Sequence, residues 1–342
     1  MKLLLAGEGT CPGAITGLEE APQITDVTSA MAPNNNLIFD FNVEVDKPAR
    51  VWVEYHPAGD DSTSTRTPLT ESLSTDHQLQ VMRLRPNTNY CYQVLATSTK
   101  GGSGEASDSF PGSFVTRPLP AGLADSSFRR ISGEQPYDLT LLDFNDADFI
   151  GLVAIDKNAE IIWYYEPDVP IHAVAQDENH HLILQQIDGV RLSEIRPDGA
   201  LVSDVTDTLE GGLACGSSHG RWHHEVLLRP GKKVYFLGSE IRHVEINGVV
   251  RKQTGDTIMV WDRNKNTVST LASLFNLLDP RVDRTPMSNT KEGFHWRGCA
   301  DEEPSEDWTY ANSIWIGQQG NIILSTRHLS IISISANFES VQ

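Results

Sequence analysis

Apolar positions in this chain alternate with polar ones in short runs, and none of the runs carries a helical period. Between Gln23 and Arg117 the runs are LIFDFNVEV, ARVWVEYHP, HQLQVMRL, NYCYQVLATS and GSFVTRP, each closed by a turn signal. Period-2 runs of this length, broken by Gly, Pro, Asn and Asp, predict a sandwich of about seven short strands. Pro118-Leu119-Pro120-Ala121-Gly122 reads as a linker. Residues 1–21 carry no pattern and read as a leader or tether. The domain boundaries expected are therefore 1–21, 22–117 and 118–342.

Beyond the linker the chain repeats itself. One kind of hairpin joins Ala173–Gln176 to Leu182–Gln185 across Asp177-Glu178-Asn179-His180, and recurs at Arg229-Pro230-Gly231-Lys232 and at Gly317–Gly320. A second kind turns at Asp156-Lys157-Asn158-Ala159, Arg196-Pro197-Asp198-Gly199 and Arg263-Asn264-Lys265-Asn266. The two kinds alternate, which predicts units of four antiparallel strands, the blade of a β-propeller. Matching turns stand 52 residues apart from 177 to 229 and 88 apart from 229 to 317. The later unit thus carries an insertion, roughly Leu277 to Asp307. Counting gives half a blade, two full blades and half of another. The expectation is an all-β chain, a sandwich followed by an incomplete propeller, that is part of a longer protein.

Charge narrows the partners. The 342 residues carry a formal charge of −19 with a pI near 4.9, which argues against nucleic acid or an anionic membrane. No run approaches the roughly 18 apolar residues of a membrane span. The opening MKLLLAGEGTC is too short in its apolar part for a signal peptide, so the true start is expected upstream. Cys11, Cys91, Cys215 and Cys299 show no metal-ribbon spacing. A Cys215–Cys299 bridge in an oxidising compartment and two free thiols are both open.

Candidate chemistry emerges when the repeats are aligned on their first turns. Five residues before Asp177 stands His172; five before Arg229, His224; five before Gly317, Asn312. Equivalent positions near the start of innermost strands face one axis, so a His-His-Asn set converges there. The competing reading is that propeller channels are lined with polar residues in any case. Adjacent strand residues face opposite ways, and the count selects His224 over His223. Cys215, His219, His223 and His224 could also supply four zinc ligands, but Gly-Ser composition there argues for a loop with no face to set the spacing. The hairpin from Asp307 to Ser335 gathers Tyr310, Asn312, Arg327 and His328 at one rim, an arrangement suited to an oxyanion.

Two resemblances follow from these residues. Leu84-Arg85-Pro86-Asn87-Thr88-Asn89-Tyr90 resembles the tyrosine-corner segment of fibronectin type III domains, a structural device without chemistry. Trp308-Thr309-Tyr310-Ala311-Asn312-Ser313, Ser325-Thr326-Arg327-His328 and His223-His224-Glu225 resemble the signatures of the bacterial arylsulfotransferases, with Tyr310 where that family usually has His. The resemblance implies a propeller channel that moves a sulfuryl group from an aryl sulfate to a phenol through a covalent sulfohistidine. It implies no nucleotide sulfate donor, no cofactor and no metal, and a periplasmic or secreted protein. In that frame His224, Asn312 and Arg327 are the expected catalytic residues, and His172, His223, Tyr310 and His328 the expected substrate contacts. The nucleophilic His of the family is expected beyond Gln342, so the 342-residue chain alone is expected to be inactive. The alternative is a propeller without catalysis that binds a small anionic or aromatic ligand, or a protein.

Overall fold

Strands account for 60 % of the chain and helices for 4 %, so the fold is all-β. The computed structural model describes residue 11 and residues 21–98, 108–133, 137–146, 148–186, 191–206, 222–283, 306–317 and 320–334. Two compact units result, Met1–Glu166 and Pro167–Gln342.

In the first unit β1 (Ile24–Met31), β2 (Phe39–Pro57), β3 (Thr65–Arg66), β4 (Ser74–Val81), β5 (Asn89–Thr97) and β6 (Asp108–Val115) form one antiparallel set. The two runs LIFDFNVEV and ARVWVEYHP, which read as separate strands, are the single long strand β2. Its first half pairs with β1 and β4 and its second half with β3 and β5. A kink at Glu44–Ala49, where the register with β4 breaks, lets one strand serve both faces. Between them lies a core of Phe41, Val43, Val51, Val53, Leu84 and Val94, all buried. The Tyr90 hydroxyl accepts the Arg85 backbone N–H at 2.9 Å, fixing the chain where it enters β5.

After the four-residue helix α1 (Ala121–Ala124), β7 (Leu139–Asn145), β8 (Ile150–Asp156) and β9 (Ile161–Tyr165) make a three-stranded antiparallel sheet. Phe149, Val153, Ile161 and Tyr164 belong to the same core as the strands before them. The Asn35 side chain donates to the Tyr164 carbonyl at 2.7 Å, and the Tyr164 hydroxyl accepts from Asn36 N–H at 2.9 Å. The compact unit therefore runs past the Pro118–Gly122 linker to Glu166. Cys11 is disulfide-bonded to Cys91 on β5. Cys215 and Cys299 lie outside the described residues.

The second unit repeats one motif. β10 (Ile171–Gln176), β11 (Leu182–Gln186), β12 (Arg191–Ile195) and β13 (Leu201–Thr206) form a four-stranded antiparallel meander. So do β14 (Trp222–Arg229), β15 (Lys233–Ile246), β16 (Val249–Asp262) and β17 (Thr267–Ser273), joined by the short parallel strand β18 (Glu306–Asp307) on β16. A helical turn, α2 (Leu274–Leu277), follows β17, with the Ser273 hydroxyl accepting Phe275 N–H at its start. β19 (Ala311–Ile316), β20 (Ile322–Thr326) and β21 (Ser330–Ile334) make a third such sheet of three described strands. β15 and β16 are the longest, 14 residues each. They are joined by Asn247-Gly248, both at positive φ, as a tight two-residue hairpin needs.

Consecutive sheets bury their faces on one another. Ile183 and Leu192 pack with Trp222, Val234, Phe236 and Trp261 in one core. Leu237 and Ile258 pack with Ile314, Ile316, Ile322 and Leu324 in the next. The middle sheet is covered on both faces, and β16 is buried without a break from Gln253 to Trp261. The first strand of the middle sheet, β14, lies between the first strands β10 and β19 of its neighbours.

Candidate functional site

At the start of each of those strands the ladder is broken at the residue picked out by the turn count. Ile171 pairs with Gln186 and Ala173 with Gln185, which leaves His172 outside the pairing. His223 pairs with Leu237 and Val226 with Phe236, leaving His224 and Glu225 out. Ala311 pairs with Thr326 and Ser313 with Ser325, leaving out Asn312. A bulge turns a side chain away from the sheet's alternation and bends the strand. Three bulges at equivalent places on adjacent strands turn three such residues out of their ladders together.

Backbone conformation sharpens this. His224 and Tyr310 both sit in the left-handed region, at φ of 60° and 52°. Asparagine and histidine tolerate that region better than most residues, a tyrosine poorly. Tyr310 is held there by Asp307, whose carboxylate accepts the N–H of Thr309 at 3.2 Å and of Tyr310 at 2.9 Å. The Tyr310 carbonyl accepts Arg327 N–H at 2.8 Å and the Thr309 carbonyl accepts His328 N–H at 3.3 Å, closing the rim from the β20 side.

The side chains form a continuous row. Ring centroids are 4.9 Å apart for His172 and His224, 6.1 Å for His224 and Tyr310, and 5.6 Å for Tyr310 and His328. The Arg327 guanidinium lies over the Tyr310 ring, 5.3 Å from its centroid, a cation–π contact. His328 is buried, Tyr310 and His224 are half-buried, and His172, Asn312 and Arg327 are exposed. Five of the seven candidate residues thus touch in series. Asn312 stands at the neighbouring bulge, in solvent.

His223 is the seventh, and it takes a different position. It is only 1 % exposed. Its Nδ1 lies 2.9 Å from His224 Nδ1, and its Nε2 lies 3.1 Å from the Asp256 carboxylate in a close but bent contact. Asp256, on β16, is itself 1 % exposed. Its other oxygen accepts the Thr309 hydroxyl at 2.5 Å and Ala311 N–H at 2.6 Å, while its own N–H donates to the Thr309 oxygen at 3.0 Å. Asp256 and Thr309 were not visible as candidates in the sequence. Neither stands at a turn or in a repeat position, and the one signal is an Asp in the middle of a continuously buried strand.

Electrostatics follow from this packing. Desolvation, then the proximity of His223 and His172, pushes the His224 imidazole down to about 4, against a smaller opposing pull from Asp256. Desolvation and His223 also lower His172, although part of its surface meets solvent. Burial raises the Glu225 carboxyl. His172 and His224 are therefore held neutral beside one cation, Arg327, an arrangement that can accept a proton and hold negative oxygen at once.

A second cluster lies in the turns at the opposite end of β10. Ligand atoms of Asp177, His181 and Glu194 fall within 4.8 Å of one another. The Arg263 guanidinium already bridges Asp177 and Glu194, at 2.9 Å to each, and His181 contacts Glu194 at 2.8 Å. The cation the carboxylates need is supplied by the chain, and the cluster fastens the β10–β11 turn to the β16–β17 turn. Cys215 and His219, of the alternative zinc reading, lie outside the described residues.

A solved structure of a protein of unknown function from Bacteroides caccae is similar over 85 % of this chain and 91 % of that chain, at 8 % identity and a TM-score of 0.30. Nothing about fold or function is carried over at that score. No curated protein matches the chain. The family model described as Arylsulfotransferase (ASST) matches residues 129–342. That match takes in the His172–His328 row whole, and the chain belongs to the arylsulfotransferase family.

Proposed function

We propose that the row from His172 to His328 transfers a sulfuryl group from an aryl sulfate to a phenolic acceptor. The observation that carries this reading is the row in which His172 and His224, each at a bulged strand start, meet Tyr310, His328 and Arg327 inside the family-matched region. In this reading the three sheets of the second unit are blades around a channel, and residues 22–117 are a fibronectin-like sandwich. Arg327 and Asn312 hold the sulfuryl oxygens and His172 and Tyr310 line the aryl site. Negative charge on those oxygens shifts as the S–O bond to the leaving phenolate breaks, and donors fixed in advance stabilise that change most. His224 exchanges the proton of the phenolic oxygen. None of the seven is assigned the sulfohistidine of the family mechanism.

An aryl sulfate and a phenol are the partners proposed, and no helix among the described residues is long and apolar enough to cross a membrane. The Cys11–Cys91 bond supports placing the protein in an oxidising, extracytoplasmic compartment. The test, made on the full-length protein, is transfer from a chromogenic aryl sulfate, followed by product analysis with and without a phenol acceptor. Phenol-dependent formation of a new aryl sulfate that is lost in Arg327→Ala is the expected result. Release of free sulfate alone, or full rates in Arg327→Ala, overturns the reading.

A further inference from the structure

Behind the row lies a buried chain that meets the open site only at His224: Thr309 and Ala311 on Asp256, Asp256 on His223, His223 on His224. Its last link constrains chemistry. Two Nδ1 atoms 2.9 Å apart need one proton between them, so protonation at His223 decides protonation at His224. The Asp256 carboxylate 3.1 Å from His223 Nε2 favours a proton on that nitrogen. Neutral His223 then offers a lone pair at Nδ1, His224 donates its Nδ1–H to it, and His224 Nε2 is left unprotonated.

We propose that Asp256, acting through His223, is a positioning residue that fixes His224 in the tautomer with a free Nε2 and takes up the charge when that nitrogen accepts a proton. This rests on the reading of the row as a sulfuryl-transfer site. The bookkeeping balances within the chain. As the acceptor oxygen bonds to sulfur, the bond from sulfur to the group that carried it breaks and its electron pair leaves with that group, while the acceptor's O–H bond breaks and the proton passes to His224 Nε2. The His224 Nδ1–H bond breaks and the same proton count reappears as His223 Nδ1–H. His224 ends neutral in its other tautomer, and the positive charge rests on His223, against a carboxylate.

This resolves a difficulty in the site. Desolvation and its neighbours hold His224 down to about 4, so a positive charge kept on its own ring is costly near neutral pH. Moving the charge one ring inward places it beside Asp256, where two hydrogen bonds to the other carboxylate oxygen keep the group aimed. A carboxylate behind an imidazole that fixes its tautomer is a device met in hydrolases on unrelated folds; here a second imidazole is inserted.

Titratable and charged groups around the pair are His172 on β10, Glu225 beside it, Asp256 on β16, and Tyr310, Arg327 and His328 from the third sheet. The direct test is nitrogen NMR of the 342-residue chain carrying labelled histidine at neutral pH, with the His224 signals assigned by His224→Gln. Expected are a protonated Nδ1 and an unprotonated Nε2 on His224, shifting toward Nε2–H in Asp256→Asn. A protonated His224 Nε2 in the wild type overturns the proposal with no variant needed, and so does a spectrum that Asp256→Asn leaves unchanged. In the transfer assay, Asp256→Asn is expected to lower kcat by about 10²–10⁴ with KM little changed. Its acid limb should move to lower pH, since the imidazole pair holds a proton less readily without the carboxylate. A lowered kcat with an unmoved limb would mark Asp256 as merely structural. His223→Gln should behave alike. The expected tautomers in a protein that transfers no sulfuryl group would uphold the relay and overturn the transferase reading; transfer with the opposite tautomer would do the reverse.

Discussion

His172 and His224 come from different sheets, and their rings meet at 4.9 Å. Two imidazoles at that distance cannot both be charged cheaply, so each discourages protonation of the other. His172→Asn should therefore raise the His224 titration midpoint from about 4, followed by NMR. The sign for stability is equally definite. An unfolded histidine titrates near 6.5, so between about 6.5 and 4 the unfolded chain binds the extra proton. Acidification through that window should lower the unfolding midpoint of the second unit, and His224→Gln should flatten the dependence. A profile with the same slope in both proteins would contradict the assignment.

Arg327 holds its place over the Tyr310 ring and is the row's permanent cation. Removing one fixed donor to a developing oxyanion costs about 10²–10³ in kcat, and Arg327→Ala should lower transfer by that factor. His224→Ala should cost about 10²–10⁴ if its nitrogen moves the phenolic proton. Arg327→Lys should restore little, because a point charge does not reproduce the planar fork. Steady-state rates with a chromogenic aryl sulfate and a phenol measure all three.

Arg263 is the buried cation between Asp177 and Glu194, its side chain 7 % exposed. Arg263→Ala leaves two carboxylates without their partner and should destabilise the second unit by about 3–5 kcal/mol, read from urea unfolding. Burial pushes the Asp177 carboxyl up, but hydrogen bonds from Arg263 and from the His181 and Asn179 backbone outweigh it and hold it below its usual value. That stabilisation is complete above the unfolded carboxylate value, near 3.9, and is lost as pH falls through the lower folded value. The wild type should show this acid sensitivity and Arg263→Ala, which keeps only the backbone hydrogen bonds to Asp177, should show less of it.

Gly255 precedes Asp256 on β16, where an added Cβ would meet Phe275 at 2.7 Å and the Trp308 indole nitrogen at 2.8 Å. Both neighbours are large rings, and Trp308 is fully buried. Gly255→Ala should cost about 1–3 kcal/mol by overpacking and disturb the Asp256–Thr309 bonds next to it. A variant with wild-type stability would show that the rings can yield.

What could be read from the chain follows from where its information lies. The turns at 177–180, 229–232 and 317–320 announce themselves in Gly, Asn, Asp and Pro. Counting back from them reaches His172, His224 and Asn312, which the ladders leave unpaired. The count works because a hairpin fixes register outward from its turn. Asp256 is beyond such counting: its meaning comes from His223, Thr309 and Ala311 on other strands, and its neighbours in sequence are core. The Glu44–Ala49 kink hid the unity of β2 for a related reason, since DKPAR reads locally as a turn.

The positive φ at His224 and Tyr310 has a consequence for how such a site persists. Each left-handed side chain costs about 1 kcal/mol or more that glycine would not, so at these positions stability and chemistry pull a sequence in opposite directions. Random libraries of positions 224 and 310 sorted only for resistance to heat or protease should fill with glycine and asparagine. Libraries sorted for transfer should keep the rings. The distance between those two outcomes measures how strongly use, and not folding, maintains this pair of residues.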